Sequence, residues 1–379
     1  MELTGSTEGP HSTLAAANLS EMVMTGCTLE VLNFEPSCME FLEVMGTPGW
    51  VLLGLATIAT SILLAVFFDT VKHVIRYCHV QHKETTAIVL TVYPVLGLCS
   101  YLGLLFQKAN LFLDAAAQLW FALCMYQFLT MTLKYFGGET RFVTKTKGLV
   151  LPWRSPPCCC WPCWHFLCPK ETVNKRQIRF VKILVMQHPW VQLVLSIIGL
   201  TMWLEGWYIN MSMKPDNAYI YLYIISTVSF TFGLWGFIVG FKASLRQLQE
   251  FHYTPKIVTF QLCLVFLRLQ ALIVNSILVP TGAIPCLPPL SPRVFANVIL
   301  NSLLLGQLLI LVIVARHYYK LPTPLVVTLS HDGVEEIEKK QFPLEENGNL
   351  KEVKVEGEKD GVMPIAMQDT NGLIEKSIE

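Results

Sequence analysis

The sequence predicts an all-α, polytopic membrane protein with seven transmembrane helices, its N-terminus outside and its C-terminus in the cytoplasm. Three observations carry that reading: an apolar excess, seven long apolar runs, and a one-sided distribution of Lys and Arg. Of 379 residues, 53% are hydrophobic and only 15% charged, against about a quarter charged in ordinary soluble domains. So much apolar side chain needs lipid as its solvent.

A helix rises about 1.5 Å per residue, so roughly 20 apolar residues cross a bilayer core. Runs of that length extend over Trp50 to Phe68, Thr86 to Phe106, Leu111 to Leu133, Trp190 to Trp207, Tyr219 to Phe241, Ile257 to Val279 and Val294 to Ala315. Positive residues are retained on the cytoplasmic side, and the connections divide sharply. One set carries Lys72, Arg76 and Lys83, then ten Lys or Arg from Lys134 to Lys182, then Lys242, Arg246 and Lys256, then the tail from Arg316. The other carries only Lys108, Lys214 and Arg293. Before Trp50 there are seven acids and no Lys or Arg. A signal peptide's basic leading region is therefore missing, and the first helix is expected to drive insertion.

Three regions result: an extracellular segment at 1–49, a seven-span domain at 50–320 with a cysteine-rich cytoplasmic loop at 134–187, and a disordered cytoplasmic tail at 321–379. The tail after Leu321 mixes thirteen acids with six lysines and sustains no apolar period. Asn18-Leu19-Ser20 and Asn210-Met211-Ser212 are sequons on the outer face, making Asn18 and Asn210 candidate glycosylation sites. Trp50, Trp203, Trp207, Tyr208, Tyr219 and Tyr221 gather at that boundary, where amphipathic rings prefer the headgroup region.

The cysteines sort by compartment. Cys27, Cys38 and Cys286 fall outside, where one disulfide is allowed with one thiol left over and the pairing open. Cys158, Cys159, Cys160, Cys163 and Cys168 share the basic cytoplasmic loop with Trp161, Trp164 and Phe166, a setting suited to S-acylation. The rival readings are zinc held by Cys160, Cys163, His165 and Cys168, and unmodified interfacial thiols. Four ligands within nine residues around Pro162 are compressed for a metal, so no metal site is expected.

In the sixth span Gln261, Arg268 and Asn275 recur every seven residues, which would align them on one face over about 21 Å of regular helix. Arg268 sits near the span's midpoint, where a cation is expected to face the protein interior or a wet cavity. It is either an anchor for an anionic ligand or a structural partner of Asp114 or Gln118 in the third span or Asn301 in the seventh. Asn297, Gln307, Asp114 and Gln118 suit interhelical hydrogen bonds. Gln261, Arg268, Asn275 and Asn301 are the candidate substrate-binding residues. Pro94, Gly233 and Gly236 allow bends or close helix approach. No Walker-type loop, HExxH or GxSxG occurs, so neither an enzyme nor a cofactor is expected. The net charge of zero gives no reason to expect nucleic acid.

Three stretches resemble the alpha subunit of the organic solute transporter, within a wider group of seven-span membrane proteins. Tyr135-Phe136-Gly137-Gly138-Glu139 is similar to the group's Gly-Gly-acidic signature after the third span. Cys158-Cys159-Cys160-Trp161-Pro162-Cys163 resembles the alpha subunit's cysteine-rich, proline-containing loop, although Trp161 interrupts a run that is more continuous in the family. Tyr253-Thr254-Pro255-Lys256, Leu269-Gln270 and Gly282-Ala283-Ile284-Pro285-Cys286 are similar to the group's sixth helix and the loop after it. The likeness covers approximately Trp50 to Lys320, and Arg268 belongs to none of its motifs. It implies facilitated, ATP-independent movement of amphipathic organic anions such as bile acids and steroid conjugates. It also implies a single-span beta subunit as partner, a place in the plasma membrane, and endoplasmic reticulum or endosomal membranes before assembly. Membrane lipid is the surrounding partner, and a higher oligomer is left open.

Seven spans with the N-terminus outside is also receptor topology. The Asp/Glu-Arg-Tyr and Asn-Pro-x-x-Tyr motifs of rhodopsin-like receptors are absent: the third span ends Lys134-Tyr135-Phe136 and the seventh Arg316-His317-Tyr318-Tyr319. A membrane scaffold or trafficking protein, binding through its tail, is the third reading.

Overall fold

The computed structural model describes residues 36–78, 80–153, 155, 173–208, 215, 217–245, 248, 252–279, 281, 283–284, 290–321, 325–331 and 334–340. Seven helices are long and apolar enough to cross a membrane. The first span is α1 (Cys38–Tyr77). The second is α2 (Val80–Leu90) followed by α3 (Val92–Leu105). The third is α4 (Asn110–Tyr135), and the short α5 (Glu139–Lys145) comes after it. The fourth and fifth are α6 (Lys175–Leu204) and α7 (Ala218–Ser244). The sixth opens as α8 (Tyr253–Val265), and the seventh is α9 (Pro292–Lys320).

Each predicted apolar run lies within or overlaps one of these spans, and several helices run past the apolar stretch. α1 begins at Cys38, where the Ser37 hydroxyl accepts from the Glu40 N–H while the Glu40 carboxylate accepts from the Ser37 N–H. That reciprocal cap satisfies two otherwise orphaned donors. The helix kinks at Gly46, whose φ of 58° suits glycine, two residues before Pro48. Cys38 is a free thiol, while Cys27 and Cys286 lie outside the described residues, as do Asn18, Asn210 and the whole Cys158–Cys168 cluster. α6 starts fifteen residues before Trp190, so Lys175, Arg176, Arg179 and Lys182 of the basic loop are helical.

Contacts between distant residues fix how the ends alternate. At the Lys- and Arg-rich end, Asp69 of α1 accepts from Arg316 Nε and Lys320 Nζ of α9, both at 2.7 Å. The pair is half exposed, so it sets register more than stability. Glu139, after the third span, pairs with Lys182 of the fourth. The Gly-Gly step before Glu139 is required by geometry: Gly137 and Gly138 have φ of 83° and 106°, values that strain any residue with a Cβ. Phe136 then packs edge-on against Phe142 of α5, with centroids 4.8 Å apart.

The Tyr253–Lys256 stretch meets that same turn. Lys256 is 2% exposed, and its ammonium lies 5.9 Å from the Tyr135 ring centroid and 5.1 Å from that of Tyr319. No carboxylate pairs with it among the described residues. Desolvated cation–π contacts are worth about 2 kcal/mol, and here they join the third, sixth and seventh spans. Beside them the Thr132 and Tyr253 hydroxyls lie 2.8 Å apart.

Small residues let the bundle close. A Cβ on Gly236 of α7 would lie 2.9 Å from Leu184 Cβ and one on Gly233 3.1 Å from His188 Cβ, so the fifth span presses directly on the fourth. The second span breaks at Thr91, three residues before Pro94; the Thr91 hydroxyl donates to the Ile88 carbonyl and accepts from Trp120 Nε1. At the Lys-poor end, Asn301 Nδ2 donates to Asn110 Oδ1 at 3.2 Å, against the bare backbone of Gly103. Past the seventh span, Leu325–His331 and Val334–Lys340 form an antiparallel hairpin. The sequence predicts no regular structure there, although the Asp332-Gly333 pair and flanking β-branched residues are hairpin chemistry.

Gly103→Ala is expected to destabilise the bundle, because a Cβ would sit 2.8 Å from both Asn110 Oδ1 and Asn301 Nδ2. A loss of about 1–3 kcal/mol should appear as a lower melting temperature in detergent. An unchanged melting curve would mean that these three spans do not approach so closely.

Candidate functional site

The sixth span is not a regular helix. Beyond Val265 it passes through a π-helical segment, Phe266–Gln270, a single α turn at Ala271–Ile273, and a second π-helical segment, Val274–Leu278. A π turn inserts an extra residue, rotating the downstream residues by about 100° relative to an α-helix. The seven-residue spacing from Gln261 to Arg268 therefore does not return to one face. Arg268 lines a cavity inside the bundle, Gln261 lies away from it, and the side chain of Asn275 is outside the described residues. A single polar stripe, expected from the sequence, is replaced by one inward-facing cation.

The cavity that Arg268 faces holds about 200 Å³ and is enclosed by the third to seventh spans. The guanidinium carbon sits 4.9 Å from the centroid of the Phe230 ring on α7. No carboxylate pairs with it among the described residues. Asp114, a structural partner expected from the sequence, lines the same cavity without bonding to it. The other two expected partners are already engaged: Gln118 Oε1 accepts from Gln192 Nε2 at 3.1 Å, and Asn301 holds Asn110. Arg268 is thus a partly buried, inward-facing cation set against a ring and a polar space, with no fixed anion among the described residues.

The third, fourth and fifth spans add polar groups to a wall otherwise lined by apolar residues such as Leu195 and Leu222. Gln192 Oε1 accepts from Ser226 Oγ at 2.9 Å while its amide reaches Gln118, so one residue ties three helices. One turn toward the basic end, Gln187 Nε2 donates to the Ser229 carbonyl at 2.8 Å and Ser229 Oγ donates back to Gln187 Oε1 at 3.1 Å. Near the Lys-poor end, Tyr208 meets Tyr219 edge-on at 5.6 Å and Tyr219 stacks on Tyr223 at 5.7 Å. Burial holds the Tyr208 phenol well above its ordinary titration range, so it is a neutral hydroxyl. Tyr208 and Tyr219 read in the sequence as interfacial residues, and Gln192 and Ser226 carried no signal beyond being polar within apolar runs.

Of the four candidate binding residues, Arg268 and Asn301 come together. On the sixth span Leu272 lines the cavity and is 44% exposed, next to Leu269 and Ile273 at 49% and 41%. The cavity therefore borders the apolar outer surface of the bundle. No group of three or more His, Cys, Asp or Glu side chains suited to a metal occurs among the described residues.

The family model described as organic solute transporter Ostalpha matches residues 49–323, nearly the whole helical bundle. The chain belongs to the organic solute transporter alpha family. Among its relatives, organic solute transporter subunit alpha of Danio rerio is 25% identical over 295 residues, covering 76% of this chain and 89% of that protein. The subunit alpha of Bos taurus is 22% identical over 308 residues, covering 80% and 89%. That of Leucoraja erinaceus is 25% identical over 266 residues, covering 70% and 74%. No solved structure matches. As a member of the organic solute transporter alpha family, the chain is a multi-pass membrane protein with a transport role, in a family of transporters and not of enzymes.

Because no described carboxylate would be stranded, Arg268→Met is expected to leave surface abundance and detergent melting temperature close to those of the parent. Gln192→Leu strands Gln118 and Ser226 and should lower stability by about 1–3 kcal/mol. Collapse of the Arg268→Met protein would instead identify Arg268 as a structural cation.

Proposed function

We propose that this chain carries amphipathic organic anions, with bile acids and steroid conjugates as the reference substrates, by facilitated, ATP-independent transport. The observation that carries the reading is Arg268, a cation within the bundle that faces a cavity and has no carboxylate partner among the described residues. A cation is expensive in the membrane, and an incoming anionic head would supply what the protein withholds.

The cavity's size refines the pose. About 200 Å³ is below the roughly 300–1,000 Å³ of pockets that enclose a drug-sized ligand. It suits a head group, while the apolar body of the substrate lies along the exposed aliphatic surface around Leu269, Leu272 and Ile273. Asn301 is the supporting polar contact on the seventh span, and Gln261, outside the cavity, and Asn275 are further candidate contacts for a head moving along the sixth. The charge sorting supports an outward N-terminus, with the plasma membrane as site of action. The subunit alpha names of the relatives support a heteromer, here with a single-span beta subunit.

Uptake of a radiolabelled steroid sulfate or bile acid by cells expressing the chain, with and without a beta subunit, tests this directly. Uptake above control is expected in the surface-expressed complex, and its absence there would sink the transport of these anions. Charge-assisted hydrogen bonds are worth about 1.5–3 kcal/mol, so Arg268→Ala should lower uptake by about 10- to 100-fold at unchanged surface abundance.

In the cytoplasmic reading of the 134–187 loop, Cys158, Cys159, Cys160, Cys163 and Cys168 are acylated and hold the loop at the bilayer. Hydroxylamine-sensitive fatty acyl labelling should disappear when all five become Ser; labelling that persists would place the acyl chain elsewhere. Glycans at Asn18 and Asn210 fit the same topology.

A further inference from the structure

The cavity that holds Arg268 holds a second ionisable group without a partner among the described residues. Asp114 of the third span lines it too, and among the described residues its carboxylate accepts no hydrogen bond and joins no ion pair. The two groups, of opposite chemical type, line the same cavity of about 200 Å³ without pairing with each other. Direct pairing would remove the need for a ligand; separation leaves each incompletely compensated in a low-dielectric setting.

An aromatic row lines the same cavity: Tyr208, Tyr219 and Tyr223. Their rings succeed one another edge-on and then stacked, at 5.6 Å and 5.7 Å. Ring faces attract cations and strengthen a nearby carboxylate's hold on an ammonium. At the opposite pole Arg268 offers planar donors suited to a phosphate, sulfonate or carboxylate.

Resting on the reading that the cavity takes a substrate's head group, we infer that the preferred head group is zwitterionic, with its anion on Arg268 and an ammonium on Asp114 framed by Tyr208 and Tyr219. A head with an anion alone meets Arg268 but sets a like charge opposite Asp114 across a small cavity. A head carrying both signs satisfies both poles and brings no net charge into the bundle. Asp114 is then the residue that determines specificity between the two classes, and Arg268 the residue that serves both.

A matched pair of amphipaths isolates the ammonium: a radiolabelled dodecyl phosphoethanolamine diester and the corresponding hydroxyethyl phosphate diester, which differ only in NH3+ against OH. Direct binding to the full chain in phosphatidylglycerol nanodiscs, with a steroid sulfate measured in parallel, should favour the phosphoethanolamine probe by about tenfold. Asp114→Asn should bring the ratio close to one, and Asp114→Glu should keep the preference. Equal or tighter binding of the hydroxyethyl probe by the parent protein overturns the inference while leaving the anion reading standing; failure of all three ligands to bind removes both. If Asp114→Asn does not fold, the parent and Asp114→Glu ratios still decide. Repeating the measurement in phosphatidylethanolamine nanodiscs separates the two sources of such a head group. Loss of probe binding there assigns the site to bilayer lipid, and unchanged binding assigns it to a free amphipath, either of which retains the zwitterionic chemistry.

Discussion

In hydrocarbon no water is available to satisfy a backbone N–H or C=O, so every crossing segment must close its hydrogen bonds on itself. That requirement makes the spans helical and limits departures from regular helix to a few places. Departures occur at Gly46, Thr91 and the two π-helical segments of the sixth span. The π segments matter most, because they turn Arg268 inward at a level where the fourth and fifth spans present Gln192 and Ser226. A regular sixth helix would have kept Gln261 and Arg268 in one row and distributed the polarity along the span.

Side-chain polarity obeys the same rule on a second level. Gln118, Gln192 and Ser226 satisfy one another across three helices, as Asn110 and Asn301 do across two. Lys256 is held between the rings of Tyr135 and Tyr319. These groups are finished. Arg268 and Asp114 have no charged partner among the described residues, and they face the same cavity. A membrane protein that carries solutes with charged heads needs such a place, since a fully compensated interior offers an incoming ion nothing in exchange for its hydration shell.

Several residues that carry the family resemblance have structural roles at the basic end, although Gln270 lines the cavity. Gly137 and Gly138 adopt positive φ to fold the chain out of the third span, Glu139 then reaches Lys182, and Lys256 packs on Tyr135. They brace the basic end, where Asp69, Arg316 and Lys320 also meet. Most of the cavity's lining lies outside those motifs, which lets a shared scaffold serve different head-group chemistries.

Composition and charge order alone marked out the seven spans, though not the ends of their helices, because the thickness of the bilayer imposes a length that is visible in one dimension. They also singled out Arg268, since a cation near the middle of an apolar run stands out in any order of packing. The partners of Arg268 were not legible. Whether Asp114 pairs with it or faces it across a space depends on helix rotation, and that rotation is set by π turns that the residue spacing does not reveal. The inward placement of Tyr208 and Tyr219 is likewise tertiary: the same rings at the same depth serve a lipid boundary or a cavity wall, and only the neighbouring helices decide which. The sequence shows that a charge is buried; the packing of the third to seventh spans decides that it is left unpaired and open to a ligand.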